Sequence, residues 1–192
     1  MRKTSFLVAL AFAASGVAIS QPHAAIGEKP KTHALESVRL VPVEPFAYAA
    51  LEMKGSYDQH GNAFMDLMQN AGAQGLSMAA TPFGLYYNSP DQTPADSLVW
   101  DLGIPCPDTA TVTVPLVLKK YTYPLTAALF FEGVFGSPDQ NAATAALFAW
   151  IPANGYRPAG PMMERFVSMP MPTGDGGFTG RVEMVIPVEK IR

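Results

Sequence analysis

Apolar and polar residues follow two different periods along this chain, and each change of period marks a predicted element. Residues 46–54 form an apolar and aromatic run that is typical of a strand. Asp58 is a candidate helix start, and one apolar helix face follows at helical spacing, formed by Phe64, Leu67, Met68 and Ala71. Two further strands are predicted at residues 82–87 and 98–104.

The same order of elements returns in the second part of the chain. Residues 125–132 predict a strand, and a helix then begins at Ser137 as its N-cap, with Gln140 closing a capping box. Two more strands are predicted at residues 163–169 and 181–188. Each part of the chain therefore has the order strand, helix, strand, strand.

Short motifs recur at matching places in these two parts. Residues 49–51 and 127–129 both read Ala-Ala-Leu, and residues 104–105 and 186–187 both read Ile-Pro. The copies lie about 80 residues apart and keep the same order, which indicates an internal repeat. The pattern predicts an α+β fold in which two such units form one antiparallel sheet, with helices on one face and a central ligand groove.

The amino-terminal segment follows the pattern of a targeting signal. A basic start and an apolar run through residue 14 are typical of a secretory signal peptide, predicted here over residues 1–20. Cleavage is expected after Ser20 or near Ala25. The apolar run is short for a membrane span, so no membrane anchor is expected after cleavage. We therefore expect a periplasmic or secreted protein.

The composition limits the remaining classes of function. The chain is 48% hydrophobic, 15% charged and has a formal charge of −3, which indicates a globular protein without the basic surface that binds nucleic acid. Residues 21–36 read as a flexible leader before a single domain at residues 37–192. The only cysteine, Cys106, excludes an intrachain disulfide. The three histidines show no metal-ligand spacing, so neither metal nor cofactor is predicted.

Several motifs together resemble one known family. The relevant stretches are Asn154-Gly155-Tyr156, Gly160-Pro161, Glu164, the Val-Ile-Pro-Val run at residues 185–188, residues 84–90 and residues 103–105. Their order and spacing resemble the GyrI-like small-molecule-binding family, which is also the effector-binding domain of AraC-type and MerR-type multidrug regulators. The resemblance covers roughly residues 37–190 and implies a groove that holds a small molecule.

Two features depart from that family. Phe166 stands where the family usually has a tyrosine, two places after the glutamate. A predicted signal peptide also stands where regulators carry a DNA-binding head. The regulator function is therefore not carried over, and the expected partner is a small molecule rather than nucleic acid. The choice between monomer and homodimer stays open.

The resemblance implies that Glu164 faces the central groove and meets hydrophobic, aromatic or cationic ligands. Aromatic residues that are candidates for the groove walls are Tyr48, Tyr57, Tyr86, Trp100, Phe130, Phe135 and Phe166. The alternative for Glu164 is a structural salt bridge to Arg165 or Arg181. Glu52 is a second, weaker candidate acid, on the same strand face as Tyr48.

Three functions remain in competition. The first is a stand-alone binding protein of the cell envelope for small molecules, with multidrug-type ligands. The second, which some family members suggest, is a hydrolase of strained electrophilic natural products in which Glu164 acts as general base. The third is a protein-interaction module whose groove is closed.

Overall fold

The computed structural model describes residues 37–77, 79–168, 170–174 and 178–192. The predicted signal peptide and leader lie outside the described residues. Among the helices that are described, none has the length and apolar character needed to span a bilayer.

The first half of the fold has the predicted order of elements, preceded by one extra strand. It comprises β1 (Arg39–Pro42), β2 (Phe46–Lys54), a 3-10 turn (Tyr57–Gln59), α1 (His60–Ala73), β3 (Phe83–Tyr86), a second 3-10 turn (Ala95–Ser97) and β4 (Val99–Cys106). The predicted strand at residues 46–54 matches β2 residue for residue. Ser56 caps the 3-10 turn that leads into α1, because its side chain accepts a hydrogen bond from the Asp58 N–H. The N-cap of α1 itself is Gln59, which makes no side-chain cap bond, so the prediction that Asp58 starts the helix is wrong.

The second half repeats this order with additional short strands. It comprises β5 (Leu116–Tyr121), β6 (Leu125–Val134), α2 (Pro138–Ala153), β7 (Tyr156–Pro158), β8 (Met162–Phe166), β9 (Met171–Pro172) and β10 (Phe178–Lys190). The predicted cap of α2 is confirmed, because the Ser137 side chain accepts from the Gln140 N–H. β10 is longer than predicted and forms the spine of this half, since β6, β7, β8 and β9 all pair with it.

All strands belong to one antiparallel sheet whose centre is the junction of the two halves. The order across the sheet is β1-β6-β10-β8-β3-β4-β2-β5, with β7 and β9 attached to β10. At the centre, β3 pairs with β8, and Gly84 lies opposite Glu164. The predicted α+β class is thereby confirmed.

Equivalent registers in the two halves support the internal repeat. Ala49 lies opposite Ile104 in the first half, and Ala127 lies opposite Ile186 in the second. These are the same Ala and Ile residues that recur in the sequence motifs. The two halves are therefore related by an approximate two-fold axis through the β3–β8 pair.

The edge strands are exchanged between the halves, which the sequence patterns did not predict. β1 begins the first half along the chain but pairs with β6 of the second, and β5 begins the second half but pairs with β2 of the first. Only residues 43–45 and 122–124 connect these edge strands to the next strands. The two connections are joined by a hydrogen bond of 3.0 Å from the Val43 N–H to the Pro124 carbonyl. The sheet therefore curls so that its two edges meet at this end.

Both helices pack on the same face of the sheet, which we call the helix face. Leu67 of α1 and Leu147 of α2 are fully buried and occupy equivalent places in the two cores. The opposite face has its own apolar core, to which Tyr48, Leu85 and Met163 contribute. Because both faces are buried at the centre, the strands there are apolar on both sides.

Buried carboxylates on the opposite face are each neutralised by basic residues. Asp101, 1% exposed, accepts hydrogen bonds from Lys119 Nζ at 2.8 Å and from the Tyr87 hydroxyl at 2.7 Å. Glu183 is bonded by the guanidinium groups of Arg39 and Arg165. Removing a basic partner would leave a charge in a site that water reaches poorly.

Candidate functional site

Glu164 lies at the junction of the two halves, on the helix face of the sheet. It occupies the middle of β8, and its side chain is directed between α1 and α2. Only 2% of the residue is exposed. We call the packed region between the two helices, above Glu164 and Gly84, the seam.

The hydrogen bonds of Glu164 come from one residue of each half. The Tyr86 hydroxyl donates to Oε2 at 3.4 Å, and Gln140 Nε2 donates to Oε1 at 3.2 Å. Glu164 does not form the alternative salt bridge to Arg165 or Arg181. Arg165 bonds Glu183 on the opposite face, and Arg181 lies over the ring of Phe130 at 4.6 Å.

The cap of α2 holds Gln140 in place for this contact. The backbone N–H of Gln140 donates to the Ser137 hydroxyl, and its Oε1 accepts from the Gly136 N–H at 2.6 Å. The reciprocal bond of the predicted capping box thus goes to Gly136 rather than to Ser137. With Oε1 fixed as acceptor, the amide Nε2 is turned toward Glu164, so the helix start orients a donor at the carboxylate.

Burial raises the pKa of the Glu164 carboxyl to about 7, although the hydrogen bonds from Tyr86 and Gln140 act in the opposite direction. The reason is that a buried carboxylate loses its hydration, which disfavours the charged form. Glu164 is therefore divided between its protonated and ionised forms near neutral pH.

Gly84, directly opposite Glu164, makes room for the phenol of Tyr86. A Cβ added at Gly84 would lie 2.6 Å from the Tyr86 hydroxyl oxygen and 2.8 Å from Cζ. The ring of Tyr86 therefore lies across the glycine, which is how its hydroxyl reaches the carboxylate on the neighbouring strand.

Aromatic rings pack on the helix face around the seam, and five of the seven predicted wall residues are among them. The residues that the structure brings to the seam are Tyr57, Tyr86, Trp100, Phe135 and Phe166. Tyr57 meets Tyr86 edge to face at 5.1 Å, and Phe135 meets Phe166 in the same way at 6.0 Å. Trp100 is fully buried and donates from Nε1 to the Gly55 carbonyl at 3.1 Å. The side of β4 that carries Trp100 therefore belongs to the hydrophobic core.

Two predicted wall residues, Tyr48 and Phe130, lie on the opposite face of the sheet. Tyr48 packs with the core of that face, and Phe130 lies under Arg39 at 4.5 Å. Glu52 also belongs to that face, where it pairs with Lys119. Successive side chains of a strand point to opposite faces of the sheet. Ala49, next to Tyr48, and Leu129, next to Phe130, face the helices, so Tyr48 and Phe130 face away from them. These three residues therefore do not contribute to the seam.

His60 is a further seam residue, which was not among the predicted site residues. It begins α1, is 4% exposed, and its ring is nearly parallel to that of Trp100, 5.7 Å away. Burial lowers its pKa to about 4, so it is neutral at physiological pH. The repeat contained a signal for it, because His60 precedes Leu67 by the same interval as Gln140 precedes Leu147.

Side chains fill the seam, so the expected open groove is not present above Glu164. His60 and Phe64 of α1 both contact the ring of Phe166, and Gln140 of α2 contacts the carboxylate. This filling agrees with the closed-groove alternative. A purely structural role for Glu164 would instead pair it with an arginine, whereas its partners Tyr86 and Gln140 are neutral. Across the described ranges, no group of three His, Cys, Asp or Glu residues is placed to hold a metal ion.

Comparison with known proteins identifies a family. The sequence model of the GyrI-like small molecule binding domain matches residues 36–189. A search of curated protein sequences gives no match.

Solved structures with this fold include the C-terminal domain of EcmrR, with a TM-score of 0.65 and 14% identity over 81% of this chain and 98% of that domain. EcmrR in its DNA complex gives a TM-score of 0.67 at 14% identity over 81% of this chain, which spans 58% of the EcmrR length.

Two further structures share the fold. A hydrolase from Listeria innocua gives a TM-score of 0.55 at 13% identity, over 83% of this chain and 95% of its own. SAV2435 bound to tetraphenylphosphonium gives a TM-score of 0.51 at 10% identity, over 80% of this chain and 94% of its own. At such low identities these structures establish the fold and nothing more specific.

Proposed function

The chain belongs to the GyrI-like small-molecule-binding domain family, and from this premise we propose that it binds hydrophobic aromatic cations with Glu164 as their counter-ion. The observation that supports this proposal is a buried carboxylate that lies between two helices and is bonded by neutral groups. Because Tyr86 and Gln140 carry no charge, ionised Glu164 is hydrogen-bonded but not neutralised by them. A delocalised cation loses little hydration on burial and would supply the missing positive charge.

The surrounding rings suit the same class of ligand. Tyr57, Tyr86 and Phe166 present aromatic faces and edges within the seam, and each cation–π contact contributes about 0.5–2 kcal/mol. The ligand must displace side chains that now fill the seam. The hydrogen bond from Tyr86, at 3.4 Å, is at the long limit and weak, so breaking this bond costs little energy.

Tetraphenylphosphonium is a suitable probe, because it is a hydrophobic aromatic cation. We expect it to raise the melting temperature of the domain and to bind measurably in calorimetry. Glu164→Gln should weaken this binding about 30-fold or more, since it removes a buried charge partner while keeping the side-chain shape. The neutral compound triphenylphosphine oxide should bind both proteins equally.

Glu52→Gln is the matched control, because it removes the other candidate carboxylate at an exposed place on the opposite face. Its affinity for the phosphonium ion should equal that of the wild type. Equal affinities for the wild type and Glu164→Gln would contradict the proposed role of Glu164.

The affinity for the cation should also depend on pH. Glu164, with a pKa of about 7, must lose its proton before it can act as counter-ion. The affinity of the wild type should therefore rise about tenfold between pH 6 and pH 8, as the ionised fraction rises. Calorimetry at both pH values checks this, and Glu164→Gln should show no such rise.

A second candidate function is hydrolysis, with Glu164 as general base toward a strained electrophile. What favours it is the pKa of Glu164, since a base works best when its pKa lies near the working pH. Turnover of such an electrophile by the wild type, with loss in Glu164→Gln at unchanged folding, would support it. Tight binding of cations without turnover of the electrophile would contradict the hydrolase function and support the binding function.

We also propose that the domain works outside the cytoplasm as a binding protein. The proposal is supported by the basic and apolar pattern of residues 1–20. Amino-terminal sequencing of the protein from the periplasm or the medium tests it, with Gln21 or a residue near Ala25 expected first. Recovery of the full-length chain from the cytoplasm would contradict it.

A further inference from the structure

An open cleft lies beside the seam, at the end of β3 and the start of β8. Its volume is about 340 Å³, which is in the range of small-molecule sites. One wall is the loop that follows β3, and the other is formed by α2 together with the residues before β8. Tyr86 and Met162, which are paired across β3 and β8, form its floor.

The loop wall presents neutral polar groups. Asn88, Ser89, Gln92 and Thr93 all line the cleft. The loop is held in shape by its own backbone, because the Gln92 and Thr93 N–H groups both donate to the Ser89 carbonyl, at 3.0 and 2.9 Å. The side chain of Asn88 accepts from the Val99 N–H at 2.7 Å, which anchors the loop to β4. This wall is therefore a preformed set of amides and hydroxyls.

The facing wall is apolar. Phe148 of α2 and Pro161 lie opposite the loop, with Met162 below them. No charged side chain lines either wall of the cleft within the described residues. Such a cleft suits the part of a ligand that has a hydrocarbon side and neutral hydrogen-bonding groups. A charged ligand group would find no opposite charge on these walls.

Tyr86 connects this cleft to Glu164. Its ring lines the cleft, and its hydroxyl lies 3.4 Å from the carboxylate. A ligand that moves this ring would extend continuously from the cleft to Glu164.

We propose that the cleft is an outer subsite for the neutral, hydrogen-bonding tail of a ligand whose cationic head meets Glu164. The inference rests on the proposed function, because it assigns the second part of the same ligand. The outer subsite restricts the proposed ligands to elongated amphipathic cations that carry hydroxyl, ether or amide groups. Gln92 and Thr93 are then specificity-determining residues rather than parts of the charge site.

Three triphenylphosphonium compounds test this inference by calorimetry on the whole domain. One carries a methyl group, one an alkyl tail, and one a glycol tail of the same length. The glycol compound should bind about fivefold more tightly than the methyl compound, as one or two hydrogen bonds would give. The double variant Gln92→Ala, Thr93→Val should abolish that gain and leave the methyl compound unaffected.

Gln69→Ala, at an exposed position on α1, is the matched control and should keep the gain. Equal binding of the methyl and glycol compounds, or tighter binding of the alkyl compound, would overturn the subsite and leave the cation site intact. Failure of all three compounds to bind would instead overturn the proposed function. Since Gln92 is exposed and Thr93→Val is nearly isosteric, the double variant should fold, and circular dichroism checks this.

Discussion

Glu164→Gln should make the protein more stable than the wild type by about 3 kcal/mol at pH 8, and this advantage should shrink toward zero near pH 5. The magnitude follows from the rise in the Glu164 pKa from 4.5 to about 7, at about 1.4 kcal/mol per pKa unit. Glutamine keeps the shape of the side chain, can accept from Gln140 and donate to the Tyr86 hydroxyl oxygen, and has no charge to desolvate.

The direction of the effect follows from proton linkage. Between pH 4.5 and pH 7 the folded state holds the Glu164 proton more tightly than the unfolded state does. The contribution of this group to stability is therefore full below pH 4.5 and falls until pH 7, after which it stays constant. The variant lacks this contribution, so the difference between the two proteins isolates Glu164.

Urea unfolding of both proteins at pH 5 and pH 8 measures the difference. Titrations shared by both proteins, such as that of an exposed carboxyl, cancel in the comparison. A constant difference across this range would mean that Glu164 is solvated in the folded state. It would contradict both the buried carboxylate and its proposed role with cations.

The same substitution is thus expected to stabilise the fold and to weaken the binding of cations. This opposition is typical of functional sites, where a group is kept in an unfavourable environment until a ligand arrives. A cation that neutralises Glu164 should recover part of the lost stability. Its thermal shift should therefore be larger at pH 8 than at pH 6.

Lys119→Met should lower the free energy of unfolding by about 3 kcal/mol at neutral pH. Lys119 donates to Asp101, whose side chain is 2% exposed, and also pairs with Glu52 at 2.7 Å. Burial lowers the pKa of Lys119, but the bonds to these two carboxylates outweigh it and raise the pKa overall. Methionine keeps most of the volume and leaves the Asp101 charge with only the Tyr87 hydroxyl.

Lys120→Met provides the matched control one residue further along the same strand. Lys120 lies 3.7 Å from Asp108, and both side chains are mostly exposed, so we expect a change within about 0.5 kcal/mol. Adding Asp101→Asn to Lys119→Met should recover part of the lost stability, because it removes the unpaired charge. Equal losses for the two lysine variants in guanidinium unfolding would show that Asp101 does not depend on Lys119.

The internal repeat and the N-cap of α2 made the order of strands and helices predictable from the sequence. Local chemistry determines where β2 and α2 begin, and Ser137 caps its helix as expected. The repeated Ala-Ala-Leu and Ile-Pro motifs lie in paired strands because each half uses them at the same register. The family resemblance then indicated Glu164, which the structure places at the centre of the β3–β8 pair.

Other features depend on contacts between distant parts of the chain. β1 and β5 are edge strands that contain proline or lysines, so neither shows the alternation of a half-buried strand. The faces of Tyr48 and Phe130 were ambiguous because their strands are apolar on both sides. The closure of the seam depends on how His60 and Phe64 pack against the other half, which no local pattern encodes.

The exchange of edge strands makes each half dependent on the other for its completion. A chain cut within residues 107–115, between β4 and β5, would give two fragments, and each would carry the strand that borders the sheet of the other. Neither fragment would fold alone with a complete sheet, yet the pair should reassemble when mixed. The same covalent arrangement opposes separation of the halves as rigid bodies, so we expect the proposed ligand to reach Glu164 through rearranged side chains and helix ends.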